Sequence, residues 1–226
     1  MSNQNKITKQ ELQSDALTTA FYKAVDIFER KKPLVIGIGA ALIAVVAGVV
    51  LWTMQKQSKN DEATTMLSKI QPVYDAGQFD KAIYGDTLNA GLLKISQEYS
   101  GTTSGELATL YLATSLYQKG SLDSALTSFE EVSLESDLVA GAALSGLAAC
   151  YEEKKDFSKA GKLYKDAADR VKNNTLTPIY LSSAARSFEL AGQKDDAIEI
   201  YEKLKKEFKQ STEGKDAEQA IVRLKS

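Results

Sequence analysis

Hydrophobic and polar positions fall into three regimes along the chain. Before residue 33 the apolar positions are sparse but periodic. Leu17, Phe21, Ala24, Val25 and Phe28 share one face at helical spacing. That face fits a helix lying on a membrane surface, one docked on a partner helix, or a plain helical extension of the apolar run after it. From Pro33 to Trp52 there is no Asp, Glu, Lys, Arg, Asn or Gln. At about 1.5 Å per residue such a run makes roughly 30 Å of helix, the thickness of bilayer hydrocarbon. From about residue 57 onward the chain is polar and charged again, with apolar positions at spacings of three and four.

Three readings compete for the central run. An export signal has an apolar region of about 7–15 residues close to the N-terminus, followed by a small-residue cleavage site. Here 32 residues precede the run and no such site follows Trp52. A buried core helix carries a polar stripe, and this run carries none. A single retained transmembrane helix over 33–53 is therefore expected, with Trp52 and the lysines at 31, 32, 56 and 59 at its interfaces. Arg30, Lys31 and Lys32 abut one end, while Lys56 and Lys59 lie past the other. That asymmetry favours a cytoplasmic N-terminus and a periplasmic remainder, at a bacterial inner membrane. Ala40, Ala44 and Gly48 recur every four residues within the run, a small-residue face through which spans can self-associate.

A periodicity emerges after the anchor. Ala125, Ala160 and Ala197 each stand four residues before an aromatic, respectively Phe129, Tyr164 and Tyr201. Twelve residues before each alanine is another small residue: Ala113, Ala148 and Ala185. Nine before is a larger one: Leu116, Tyr151 and Phe188. Gly120 and Gly192 fall five before the alanine in two of the copies, where a first helix must end. A period of 35 to 37 residues with this alternation of sizes predicts pairs of helices, packed closely through the alanines. A weaker copy precedes them. Gly77, Phe79 and Ala82 fit, Asp86 replaces the aromatic, and Pro72 is expected to interrupt the first helix. Because Ala82 lies 43 residues before Ala125, a longer second helix from about Ala82 to Tyr99 is expected. Residues 212–226 read as a charged, amphipathic closing helix.

These residues resemble the tetratricopeptide repeat family over about residues 62–226. The tryptophan that opens each family unit is replaced by Thr109, Leu144 and Leu181, and the closing proline is missing. The resemblance implies an all-α solenoid with a concave face that binds protein partners. Carried over copy by copy, that face comprises Leu110, Thr114 and Tyr117, then Ser145, Ala149 and Glu152, then Ser182, Arg186 and Glu189. Family members that hold acidic chaperone tails use a lysine and asparagine clamp, which these positions do not match. The layout expected is a cytoplasmic segment 1–32, a span 33–53, a connector 54–61 and a repeat domain 62–226. It resembles the ancillary-subunit family of the bacterial Sec translocon. That implies work at the periplasmic exit of the channel, with translocon subunits, periplasmic chaperones or exported polypeptides as partners. The same layout fits a scaffold for cell-wall or outer-membrane assembly.

Charge and chemistry narrow the function classes. Residues 1–56 hold seven Lys/Arg and four Asp/Glu, a net of +3; the whole chain is −2, leaving −5 for the remainder. Nothing there forms a basic face for nucleic acid. The chain has no histidine and one cysteine, Cys150 in an apolar context, so no intramolecular disulfide can form. The commonest general base and transition-metal ligand are thus missing. "GIGAAL" at Gly37 departs from the dinucleotide fingerprint, since Leu42 takes the third glycine position. "NNT" at Asn173 is a formal glycosylation acceptor expected in a loop between helices. No catalytic residue, cofactor or metal is expected.

Overall fold

The computed structural model describes residues 18–23, 25, 26, 29, 31–132 and 135–226. Leu17, Ala24 and Phe28 of the expected amphipathic face lie outside them; Phe21 and Val25 are exposed. The chain divides into two units, Met1–Gln55 and Lys56–Ser226.

In the first unit, the apolar run opens helix α1, Lys32–Asp75. A window of this helix has mean hydropathy 2.9 and none of it is buried by protein. Ile43 and Leu51 are 71% and 67% exposed. By length and composition it suffices to cross a membrane. Residues 54–61, expected as a connector, are helical.

The second unit continues with α2 (Phe79–Tyr84), α3 (Leu92–Glu98), α4 (Thr103–Gln118), α5 (Leu122–Glu130), α6 (Asp137–Glu153), α7 (Phe157–Val171), α8 (Leu176–Leu190), α9 (Lys194–Glu207) and α10 (Thr212–Lys225). Helix α4 packs on α5, α6 on α7, α8 on α9, and α10 closes on α9. The repeat alanines explain the pairing. Ala125, Ala160 and Ala197, and Ala113, Ala148 and Ala185, are all fully buried. Without side-chain bulk there, facing helices approach closely, and Phe129, Tyr164 and Tyr201 fill the space one turn on. Each such bulky side chain withdrawn from water contributes roughly 1.5–3 kcal/mol.

The turn between the helices of a pair recurs in all four units. Gly77, Gly120, Lys155 and Gly192 sit five residues before Ala82, Ala125, Ala160 and Ala197, and all have positive φ, from 62° to 77°. Their N–H groups donate to Tyr74, Tyr117, Glu152 and Glu189, and the next N–H to Val73, Leu116, Tyr151 and Phe188. This double closure satisfies carbonyls that the helix end would otherwise strand. The first copy therefore shares the turn of the other three.

Two expectations about that first copy are corrected. Pro72 does not interrupt the first helix; it lies inside α1. It stands in the last turn, where the missing N–H strands only the Ser68 carbonyl, and Ser68 is exposed to water. The second helix does not run from Ala82 to Tyr99. It ends at Tyr84, and α3 starts at Leu92. Between them Gly85 turns at φ 79°, Asp86 Oδ1 accepts from the N–H groups of Leu88 and Asn89, and Gly85 bridges to Ala90. The sequence "GDTLNAG" thus makes a closed turn in place of helix, which accounts for the extra residues.

Candidate protein-binding surface

The last turn of each first helix differs in chemistry between units. Eight residues before the repeat alanine stand Tyr74, Tyr117, Glu152 and Glu189. Four residues after it stand Phe129, Tyr164 and Tyr201 in the last three units. Where the aromatic has a hydroxyl, the facing position is a carboxylate. Tyr164 donates to Glu152 Oε2 at 3.0 Å and Tyr201 to Glu189 Oε1 at 2.6 Å. Where the aromatic is Phe129, with nothing to donate, the facing residue is Tyr117.

Both carboxylates also tie one unit to the next. Ser187 of α8 donates to Glu152 Oε1 at 2.7 Å, and Arg223 of α10 reaches Glu189 Oε2 at 2.8 Å. Burial and the adjacent carboxylate hold the phenols of Tyr164 and Tyr201 neutral far above the usual tyrosine range. Tyr117 adds to that rise in the Tyr164 phenol and Arg186 opposes it.

Tyr117 opens onto a groove of about 380 Å³. Leu110, Thr114 and Tyr117 of α4 and Ser145 and Ala149 of α6 line it, five of the nine positions expected. Tyr74, Tyr111, Gln118, Phe129, Ala142 and Gly146 complete it. Tyr74 and Tyr111 stack at 4.7 Å and 23°, forming one wall. Phe129 lies under Gly146, where an added Cβ would come within 2.2 Å of the ring. Burial raises the Tyr74 and Tyr117 phenols, so the lining is uncharged at neutral pH.

Ser182 and Arg186 open onto a second groove of about 580 Å³ with Tyr201, Glu213, Asp216 and Arg223. Glu152 and Glu189 line neither groove; their carboxylates hold the repeats together. Sequence reasoning placed them with the binding residues because they share the register of Tyr117. It missed Tyr74, although the same register in the first copy marks it. Cys150 is buried and its thiol is pushed up to about 11 by that burial. Asn173, the glycosylation candidate, uses its Oδ1 to accept from the N–H groups of Thr175 and Leu176 at the start of α8.

A family model described as a tetratricopeptide repeat-like domain matches residues 28–171. The chain belongs to the tetratricopeptide repeat-like family. A second model, tetratricopeptide repeat, matches residues 183–211. Among solved structures the chain is similar to the nearly identical TPR-like repeats of a Podosopora anserina protein described as a kinesin light chain. The likeness is a TM-score of 0.57 at 15% identity, covering 73% of this chain and 86% of that one. A single-substitution form of the same protein matches at 14% identity with the same TM-score, covering 73% and 85%. These likenesses show the tetratricopeptide fold. No curated protein matches the chain. The family places a protein-interaction scaffold in this chain, and such scaffolds present side chains on a concave face.

Proposed function

We propose that the chain is a membrane-anchored tetratricopeptide scaffold that holds protein partners on the periplasmic side of a bacterial inner membrane. There it assists export or folding of envelope proteins beside the Sec translocon. The observation that carries this reading is the pair of concave grooves in a repeat domain whose family match begins at residue 28, ahead of the apolar run. That span of the match supports reading the apolar run and the repeats together. The cations at 30–32 supply the orientation. The span over 33–53 and the repeat domain over 62–226 are the working parts of this layout.

Two experiments test it. Protease added to spheroplasts degrades residues 60–226 and spares the N-terminus; a protected repeat domain overturns the orientation. Photo-crosslinkers at Tyr117 and Arg186 in living cells yield translocon subunits, periplasmic chaperones or exported chains, identified by mass spectrometry. A crosslinker at Lys165, on the exposed face of α7, does not. Equal yields from all three positions sink the concave-face assignment.

A further inference from the structure

The Tyr117 groove has an apolar and neutral polar lining in a chain where 26% of residues are charged. No ionised side chain lines it. The charges that act on its tyrosines are carboxylates, Glu153 and Glu152 on Tyr117 and Asp75 on Tyr74, while the cations nearby are already paired. Glu152 holds Tyr164 and Ser187, Lys119 pairs with Asp80, and Lys154 pairs with Asp123. A carboxylate brought into this groove loses its hydration, meets no cation in the lining and is repelled by those carboxylates, which costs several-fold to many-fold in affinity. An apolar side chain meets stacked tyrosines, Leu110, Phe129 and Ala149 and releases water. At roughly 30 Å³ per molecule in the liquid, the groove holds about a dozen waters.

The polar groups at the groove distinguish between apolar occupants. Gln118 and Ser145 line it without a hydrogen-bond partner among the described residues. The Gln118 amide offers both donors and an acceptor, and the Ser145 hydroxyl offers one of each. A lipid acyl chain or a sterol leaves the half-buried Ser145 hydroxyl unpaired as it excludes water from it, and gains nothing from the exposed Gln118 amide. An extended polypeptide pairs them, since its backbone alternates N–H and C=O. Resting on the scaffold reading, we infer that this groove takes an extended polypeptide segment with bulky apolar side chains and no carboxylate. It is selective against acidic tails, and Gln118 pairs with the bound backbone. Such segments are exposed in chains that have not yet folded, so the groove recognises the unfolded state of a partner.

The test uses the full chain in lipid nanodiscs and fluorescence anisotropy of short dye-labelled peptides. One peptide has Leu-Phe-Leu at its centre, and a second has Asp-Phe-Asp there. The first binds, and the second binds at least about tenfold more weakly. Gln118→Ala, at an exposed site, weakens the first peptide about fivefold, the value of one ordinary hydrogen bond. Ala149→Asp weakens it at least about tenfold with an unchanged circular-dichroism melt. Equal or tighter binding of the acidic peptide overturns the inference and leaves the scaffold reading standing if Tyr117 still crosslinks partners in cells. So does apolar binding that neither variant alters, because the site is then elsewhere. Occupation of the groove by nanodisc lipid, or by a second copy of the chain with no peptide bound, overturns it too. Lipid would appear as quenching by a nitroxide-labelled acyl chain, a second copy as dimer in sedimentation that Ala149→Asp abolishes.

Discussion

At the scale of single residues, the repeat turn contains an internal experiment. Three of its four copies place glycine at the positive-φ position, and the third places Lys155 at φ 62°. A left-handed conformation costs an L-residue about 1–2 kcal/mol, and glycine returns part of that gain through its freer unfolded chain. Lys155→Gly should therefore stabilise the repeat domain by about 0.5–1 kcal/mol, a melting rise of about 2 °C. Lys155→Val should lower it. A fall with glycine would show that Lys155 makes a contribution its backbone angle does not reveal. Glu152 offers the opposite case. Glu152→Ala leaves the buried Tyr164 hydroxyl without its acceptor and should cost about 1–3 kcal/mol in denaturant unfolding. Glu152→Gln keeps an acceptor and should cost less. The residue scale was largely legible in sequence, because alanine and aromatic positions recur in columns whose sizes packing dictates. The Glu–Tyr pairing was open to the same reading: Phe129 is the one aromatic of its column without a hydroxyl, and Tyr117 is the one facing residue of the last three units that is not a carboxylate.

At the scale of elements, period carries well and irregular turns do not. A helix over Ala82–Tyr99 satisfied the apolar spacing, since Ala82, Ile83, Leu92 and Ile95 are all core residues. What that spacing concealed is a tight closure made by two glycines. A Cβ on Gly91 would come within 2.3 Å of the Ile83 carbonyl oxygen and 2.4 Å of the Gly85 nitrogen, both backbone atoms that cannot step aside cheaply. Gly91→Ala should therefore cost about 2 kcal/mol or more. Its hydrogen exchange should rise over residues 85–91 and stay unchanged in α8–α10. Unaltered exchange in the turn would mean that the closure is looser than its contacts imply. A second element signal lay unread in the sequence. "YSGTTSG" and "FKQSTEG" open α4 and α10 in one way. Thr102 and Ser211 accept from the N–H of Gly105 and Gly214 and donate back to the carbonyls of Tyr99 and Phe208. An aromatic, then Ser or Thr three on, then Gly three further on, is a helix-start signature in this chain.

At the scale of the whole molecule, the Glu–Tyr pairs couple the candidate surface to stability through their buried tyrosines. A candidate concave face could be carried over from the repeat register. Which concave residues are free to bind could not, because that depends on partners supplied by the neighbouring unit, such as Ser187 and Arg223. The same neighbours set the response to alkali. An unfolded tyrosine ionises near pH 10. Tyr164 and Tyr201 are held neutral to higher pH, first by burial and then by Glu152 and Glu189. Above about pH 10 the folded chain thus keeps protons that the unfolded chain has released. Stability from these two groups is complete below the unfolded value and is lost as pH rises through it towards the folded one. Denaturant midpoints of the full chain should accordingly fall from about pH 10 upward. The double variant Tyr164→Phe/Tyr201→Phe should start about 1 kcal/mol lower per lost hydrogen bond at neutral pH, yet fall less steeply in alkali. An unchanged alkaline slope would place the titrating group elsewhere, and Cys150, with its thiol at about 11, would be the next to substitute. Phe129 already stands where the double variant would put phenylalanine. The joint that carries the groove keeps other phenols raised by burial, Tyr74 and Tyr117, so it too should loosen in alkali, which hydrogen exchange in α4 and α5 beside α8 and α9 would read directly.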